Sequence, residues 1–396
     1  MTAQSFRISE LDYDERELDA VVEVIRSQWL SQGPTIETFE KRFADFVGAK
    51  RALAVSNGTA ALHLALLACG IGPGDEVLVP SFTFVASVNA ILYVGATPVF
   101  VDIVGPHDLN IDPNDMAAKI TSRTKAAVVV HMAGFPADMD AIMKLAEQHD
   151  LRIIEDACHA VGARYNTRPD SPYSQRMAGT GGTVGCFSFF ANKNMVTGEG
   201  GMVVTDDEEL ANRVKLARSH GMTKSSWDKA SGRATDYDLI DVGFNYRATE
   251  IMAALGLVQL DKLADGNLRR RNCVARYRER LSGIDGITIP FSDRLEDSSH
   301  HVFPILLAVA EQRSDFRERL NQRGVQTTFH YPPVHQFTHY QKLCPDTPSL
   351  PKTCDAASRE VTLPLHARMT IEDVDAICDV VESEMKSLNQ MEVTQS

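Results

Sequence analysis

Three short stretches carry residue types whose chemistry fits together. In FSFFANKNMVTGEGG, residues 187–201, Lys193 stands between an aromatic strand and a glycine-rich turn. A lysine acts as a nucleophile only where apolar or cationic surroundings lower its pKa enough to leave neutral amine at working pH. Phe187, Phe189 and Phe190 are placed to supply that desolvation. In RIIEDACHA, residues 152–160, Asp156 ends a buried apolar strand, where open α/β sheets present ligand-binding groups. A carboxylate there needs a cationic partner, and a protonated pyridine nitrogen is one; neighbouring Glu155 points to the opposite face. In SNGTAALHLALLACG, residues 56–70, a strand ends, Gly58 permits a tight turn and a helix begins. Its free N–H groups and positive dipole end suit a phosphate, with Thr59 adding a hydroxyl. Each stretch also has an ordinary reading: a solvated loop lysine, an aspartate capping the next segment, and plain N-capping by Ser56 or Asn57. Together they offer a lysine for an aldehyde, a carboxylate for a ring nitrogen and a helix start for a phosphate, the three needs of pyridoxal 5'-phosphate (PLP).

The elements that must position these residues read as an α/β domain. Short apolar runs alternate with helical patterns from about 50 to 205, as in a largely parallel sheet covered on both faces. Strands are predicted at 52–55, 76–80, 97–102, 126–131, 152–156, 185–190 and 201–205, and helices at 59–69, 138–148 and 208–218. A helical pattern over 247–281, with a break expected at Asp265-Gly266, leads into a smaller α+β domain. That domain has a strand at 302–309, a helix at 311–323, the HYPPVH loop and a last amphipathic helix from Ile371 to about Met385, before a disordered MEVTQS end. The division expected is 1–255 for the N-terminal segment and large domain and 256–396 for the small one. The segment 166–184, rich in Gly, Pro and Ser, reads as a surface excursion near the site mouth.

Composition narrows the function. A chain of 396 residues with formal charge −13 and no basic run beyond Arg269–Arg271 disfavours nucleic-acid binding. No run approaches the roughly 18 apolar residues of a membrane span, and the polar N-terminus is no signal peptide. Seven scattered cysteines without a C-x-x-C pair point to a reducing compartment, the cytoplasm, and to no structural zinc.

A resemblance adds to this reading. QWLSQGPTIETFE (28–40), SNGTAALHLAL, GDEVLVPSFTFVAS, TPVFVDI, EDACHAVGA, FSFFANKNMVTGEGG, GFNYRATEIMAALGLVQL (243–260), HYPPVH (330–335) and LPLH (363–366) occur in the order of the DegT/DnrJ/EryC1/StrS sugar aminotransferases. The chain resembles that family over nearly all its length. The resemblance implies fold type I, with a mixed, mostly parallel seven-stranded sheet in the large domain. It implies Lys193 as the Schiff-base lysine, with pyridoxamine 5'-phosphate as the intermediate form of the cofactor, and Asp156 as the pyridinium partner. Gly58, Thr59, Ala60 and Ser188 fall at the phosphate, Phe84 on the ring with Phe82 competing, and His159 near the phenolic oxygen. Asn245 falls where members reach into a neighbouring subunit's site, so a homodimer with shared sites is implied. The donor implied is L-glutamate and the acceptor a keto sugar, nucleotide-linked in the family pattern.

Family members with histidine at the lysine position are dehydratases; this chain keeps lysine, which favours aminotransfer. Transfer to a cyclitol ketone or a free keto sugar, and a non-catalytic regulatory role, are the alternatives. A metal hydrolase built on His330, His335 and His339 is opposed by two prolines and the lack of H-E-x-x-H spacing. Substrate choice is expected in 166–184 and 222–238, with His220, Arg247, Arg323 and His330 as candidate contacts.

Overall fold

The computed structural model describes residues 5–395 except 166–170, 225 and 233. Among the described residues twelve strands run β1 (Arg51–Val55), β2 (Glu76–Pro80), β3 (Thr97–Val101), β4 (Ile103–Gly105), β5 (Asp108–Ile111), β6 (Thr124–Val130), β7 (Arg152–Asp156), β8 (Val184–Ser188), β9 (Gly201–Thr205), β10 (Ile287–Thr288), β11 (Phe303–Leu307) and β12 (Glu360–Leu363). Seven of them form one sheet in the order β1-β9-β8-β7-β6-β2-β3. The pairs from β8 through β3 are parallel, and β9 runs antiparallel to both its neighbours. Alternate residues of each strand feed two cores, as the period of two requires. Ala54, Leu78, Val129, Ile153 and Phe187 meet Phe39 and Phe43 of helix Pro34–Val47 on one face. Val55, Val79, Val128, Ile154 and Cys186 meet helices Gly58–Ala68, Val85–Tyr93 and Glu208–Ala217 on the other. Helix Gly58–Ala68 is apolar nearly all round because it is buried nearly all round.

The second, antiparallel sheet has the order β10-β11-β12 and shares a core with helices Arg313–Gln322 and Ile371–Gln395. Between the two sheets runs helix Glu250–Leu281, inside which the expected division at 255/256 falls. It does not break at Asp265-Gly266. Gly266 is buried, a Cβ there would lie 3.7 Å from Ala367 Cβ, and packing on both sides outweighs the cost of glycine, about 1 kcal/mol. The terminal segment expected to be disordered instead continues the last helix to Gln395. The strand expected to reach Phe190 ends at Ser188, where the chain turns toward Lys193.

Glu155 explains how the glycine-rich excursion is tied down. Its buried carboxylate accepts from the N–H groups of Gly179 (3.0 Å), Gly181 (2.8 Å) and Gly182 (2.6 Å), and from the Tyr165 hydroxyl. His131 Nδ1 accepts from Ala137 N–H, so its hydrogen sits on Nε2 and is donated to Glu155 at 2.7 Å. Glu155→Ala leaves the Tyr165 hydroxyl, His131 Nε2 and Gly182 N–H without their acceptor, while Gly179 and Gly181 N–H keep the Tyr165 oxygen, and we expect a loss of about 3–5 kcal/mol in urea denaturation.

Candidate active site

The carboxyl ends of the parallel strands open into one cavity of about 650 Å3. Gly58 and Thr59 form part of its wall, with Thr83 to Ala86 after β2, Asp156, Cys158 and His159 at the end of β7, and Ser188, Phe190 and Lys193 after β8. Thr328 to Pro332 close it from the side of the small sheet. The three stretches singled out by their chemistry thus share one cavity.

At the helix start, Asn57 is the cap, its Oδ1 accepting from Ala60 N–H at 2.8 Å. The Ala60 amide is therefore engaged within the chain and Ala60 is not a wall residue. Among the described residues no bond is made by the Gly58 or Thr59 amide. A Cβ on Gly58 would sit 2.8 Å from Ser188 Cβ, so only glycine lets this helix start approach the Ser188 hydroxyl so closely. That cradle fits a phosphate.

Asp156 Oδ2 accepts from Ser87 Oγ at 2.7 Å, itself 2.9 Å from Thr83 Oγ1, and Oδ1 accepts from Cys158 N–H at 3.2 Å. The carboxylate thus caps its own turn while facing the cavity. His159 Nε2 lies 2.9 Å from the Tyr331 hydroxyl, and its buried Nδ1 has no partner among the described residues, an atom ready to bond an oxygen in the cavity. Phe84, 55% exposed, lines the cavity, whereas Phe82 is buried in the core, so packing decides between them. The site accommodates PLP.

The aromatic residues before Lys193 do not act as expected. Phe187 and Phe189 pack with Phe43 at centroid distances of 5.1 and 5.6 Å, on the core side; only Phe190 reaches the cavity. Burial still lowers the Lys193 amine below its ordinary value, with Cys158 and Asp156 pulling it back up. Sequence reasoning missed Ser87, Tyr331 and His301, the last with Nε2 3.5 Å from Lys193 Nζ. Of the candidate substrate contacts only His330 is in the wall. Arg323 pairs with Glu384, Arg247 donates to Ser219 Oγ, and His220 lies outside the wall. Asn245 is exposed and also outside it, as are the described residues of 171–184 and 222–238. His330 and His335 bond Thr362 and Ser81 separately, and no group of three His, Cys, Asp or Glu side chains suited to a metal occurs among the described residues.

The model of the DegT/DnrJ/EryC1/StrS aminotransferase family matches residues 11–382. The chain belongs to this family. The spore coat polysaccharide biosynthesis protein SpsC of Bacillus subtilis (strain 168) is 42% identical over 379 residues, 93% of this chain and 94% of that protein. Among solved structures, Helicobacter pylori PseC, an aminotransferase involved in the biosynthesis of pseudoaminic acid, superposes with TM-score 0.89 at 33% identity, covering 97% of this chain and 100% of that one. The PMP-form of the putative sugar aminotransferase Spr1654 from Streptococcus pneumoniae gives TM-score 0.88 at 30% identity, covering 96% and 99%. This DegT/DnrJ/EryC1/StrS member is an aminotransferase of fold type I. No helix among its described residues is long and apolar enough to cross a membrane.

Buried histidines make the aminotransferase acid-sensitive. Burial holds His159 and His301 well below the usual histidine range, His330 at about 4 and His300 at about 3. Each folded value lies below the unfolded one, so the unfolded chain takes up protons first. Stability is full above about pH 6.5 and falls as pH drops toward these values, by up to roughly 1.4 kcal/mol per pH unit for each group. Urea midpoints at pH 7 and pH 5 check this; equal midpoints would refute it.

Proposed function

We propose that this chain moves an amino group from an amino acid, L-glutamate, to a keto sugar carried on a nucleotide, using PLP held at Lys193. The observation that carries this reading is the meeting of Lys193, Asp156 and the Gly58–Thr59 helix start in one cavity. Similarity to Spr1654, a putative sugar aminotransferase, and to SpsC, a spore coat polysaccharide biosynthesis protein, supports the substrate class.

When bound, PLP supplies an aldehyde that takes an amine and a ring that draws electrons from the adjoining carbon. The Gly58 and Thr59 amides and the Ser188 hydroxyl would hold the phosphate. Asp156 would set a negative charge against the ring nitrogen, and His159, with Nε2 2.9 Å from the Tyr331 hydroxyl, would have its unpartnered Nδ1 left for the phenolic oxygen. The neutral Lys193 amine would be the base that holds and moves a proton at Nζ. Phe84, exposed on the cavity wall, would cover a ring held there. Asn245, exposed and outside its own chain's cavity, reaches a neighbouring copy's phosphate, which makes the enzyme a homodimer with shared sites. All seven cysteines are free thiols, the state that a reducing cytoplasm maintains.

The test is the visible spectrum of protein reconstituted with PLP, before and after L-glutamate, with borohydride trapping and peptide mapping. A visible band bleached by glutamate and a label on Lys193 are expected. A label elsewhere, or a band that no amino acid changes, would sink the reading.

A further inference from the structure

His301 touches Lys193 but has no part in the reading above. Its backbone is fixed on both sides, N–H donating to Ala133 O at 3.0 Å and carbonyl accepting from Arg270 Nη1 at 3.3 Å. Its ring is fixed by two side-chain amides, whose orientation is decided by backbone carbonyls that can only accept. Asn267 Nδ2 donates to Val161 O at 3.0 Å, which turns Asn267 Oδ1 toward Asn194. Asn194 Nδ2 donates to that oxygen at 2.8 Å and to Ser299 O at 2.6 Å. The remaining Asn194 Oδ1 lies 3.1 Å from His301 Nδ1. An amide oxygen cannot donate, so Nδ1 carries the ring hydrogen. In the neutral ring Nε2 is then a bare lone pair, and it faces Lys193 Nζ at 3.5 Å.

We propose that His301 is the positioning residue of Lys193: its Nε2 takes one hydrogen of Nζ and so turns the amine's own lone pair into the cavity. The Asn194–Asn267 lock is what makes this one-directional. In the other tautomer a ring hydrogen would stand against the hydrogens of Nζ. The titratable and charged groups facing the pair are Asp156, Cys158, His159, His330 and Arg270. Burial, with the Lys193 charge next, keeps His301 well below the usual histidine range, so it serves as an acceptor and not as a proton store. This inference rests on Lys193 being the reactive lysine.

Two measurements on the cofactor-free protein test it. A long-range 1H–15N spectrum, with the His301 signal assigned by its loss in His301→Gln, should show the Nδ1–H tautomer; Asn194→Leu should shift the signal toward the other form. Acetic anhydride labelling of Lys193, followed by mass spectrometry from about pH 6 to 10, gives both the titration midpoint and the plateau rate. The plateau, reached only where pH exceeds the amine's own pKa, isolates positioning from titration. His301→Phe should lower it about tenfold, and His301→Gln, whose Oε1 is an acceptor, should recover part of the loss. An Nε2–H tautomer in the wild type, or an unchanged plateau in folded His301→Phe, overturns the inference. The tautomer is read on the unmutated chain, so an unfolded variant cannot shield the idea. Borohydride trapping at a residue other than Lys193 would defeat the proposed function and, with it, the inference that rests on it; the wrong tautomer would defeat this inference alone.

Discussion

Lys193→Ala is expected to abolish aminotransfer, lowering turnover on the order of 10⁵-fold or more, while leaving the fold intact. The two halves of that expectation have separate grounds. The side chain lines the wall of the cavity, so its removal enlarges that cavity and opens no new void in the apolar core. The turn is held by the backbone, Lys193 N–H donating to Phe190 O at 2.9 Å, which alanine preserves. Thermal unfolding should therefore move little, and the phosphate cradle at Gly58, Thr59 and Ser188 should still retain the cofactor without a covalent link. Equilibrium dialysis distinguishes this from a collapsed site. Lys193→Arg should be as inactive as alanine, since a guanidinium keeps its proton and cannot serve as the amine. Turnover surviving in either variant would remove Lys193 from the chemistry.

How much of this was legible in the sequence varies with distance along the chain. Lys193, Asp156 and Gly58 were readable because each follows a strand of one parallel sheet, whose carboxyl ends face one way. The period of two also held an unused signal. Phe187 and Phe189 share a strand face and Ser188 and Phe190 the other, so the two core phenylalanines could have been separated from the cavity pair. Tyr331 and His301 were not legible as partners, because they meet His159 and Lys193 from 172 and 108 residues away. No local pattern records which loop of the small sheet closes over the large one. The Ala60 amide illustrates a third kind of limit: the motif placed it at the phosphate, but capping by Asn57, the ordinary reading of the same residues, claims that N–H. The uninterrupted helix through Gly266 is a fourth, since tertiary packing overrides propensity there.

Asp156→Asn should cost on the order of 10³-fold in turnover, with a second effect of opposite sense at Lys193. Asparagine keeps the shape of the side chain, but Ser87 Oγ and Cys158 N–H both donate to the carboxylate, and an amide offers only one oxygen to receive them. Ser87 can turn its hydrogen toward Thr83 Oγ1, 2.9 Å away, so the fold should survive. What is lost is the negative charge that holds a ring nitrogen protonated, and with it the electron sink that the reaction needs. That same charge also pulls the Lys193 amine upward against burial. Without it Lys193 should titrate at lower pH, so that more neutral amine is present at pH 7 even as turnover collapses. Labelling of Lys193 across pH in the cofactor-free variant reads the effect at the amine, and single-turnover spectra the loss of turnover. A merely disordered site would expose the lysine and raise its pKa toward the ordinary value. A midpoint that rises or stays fixed in Asp156→Asn would therefore refute the electrostatic account, and full activity would remove Asp156 from the site.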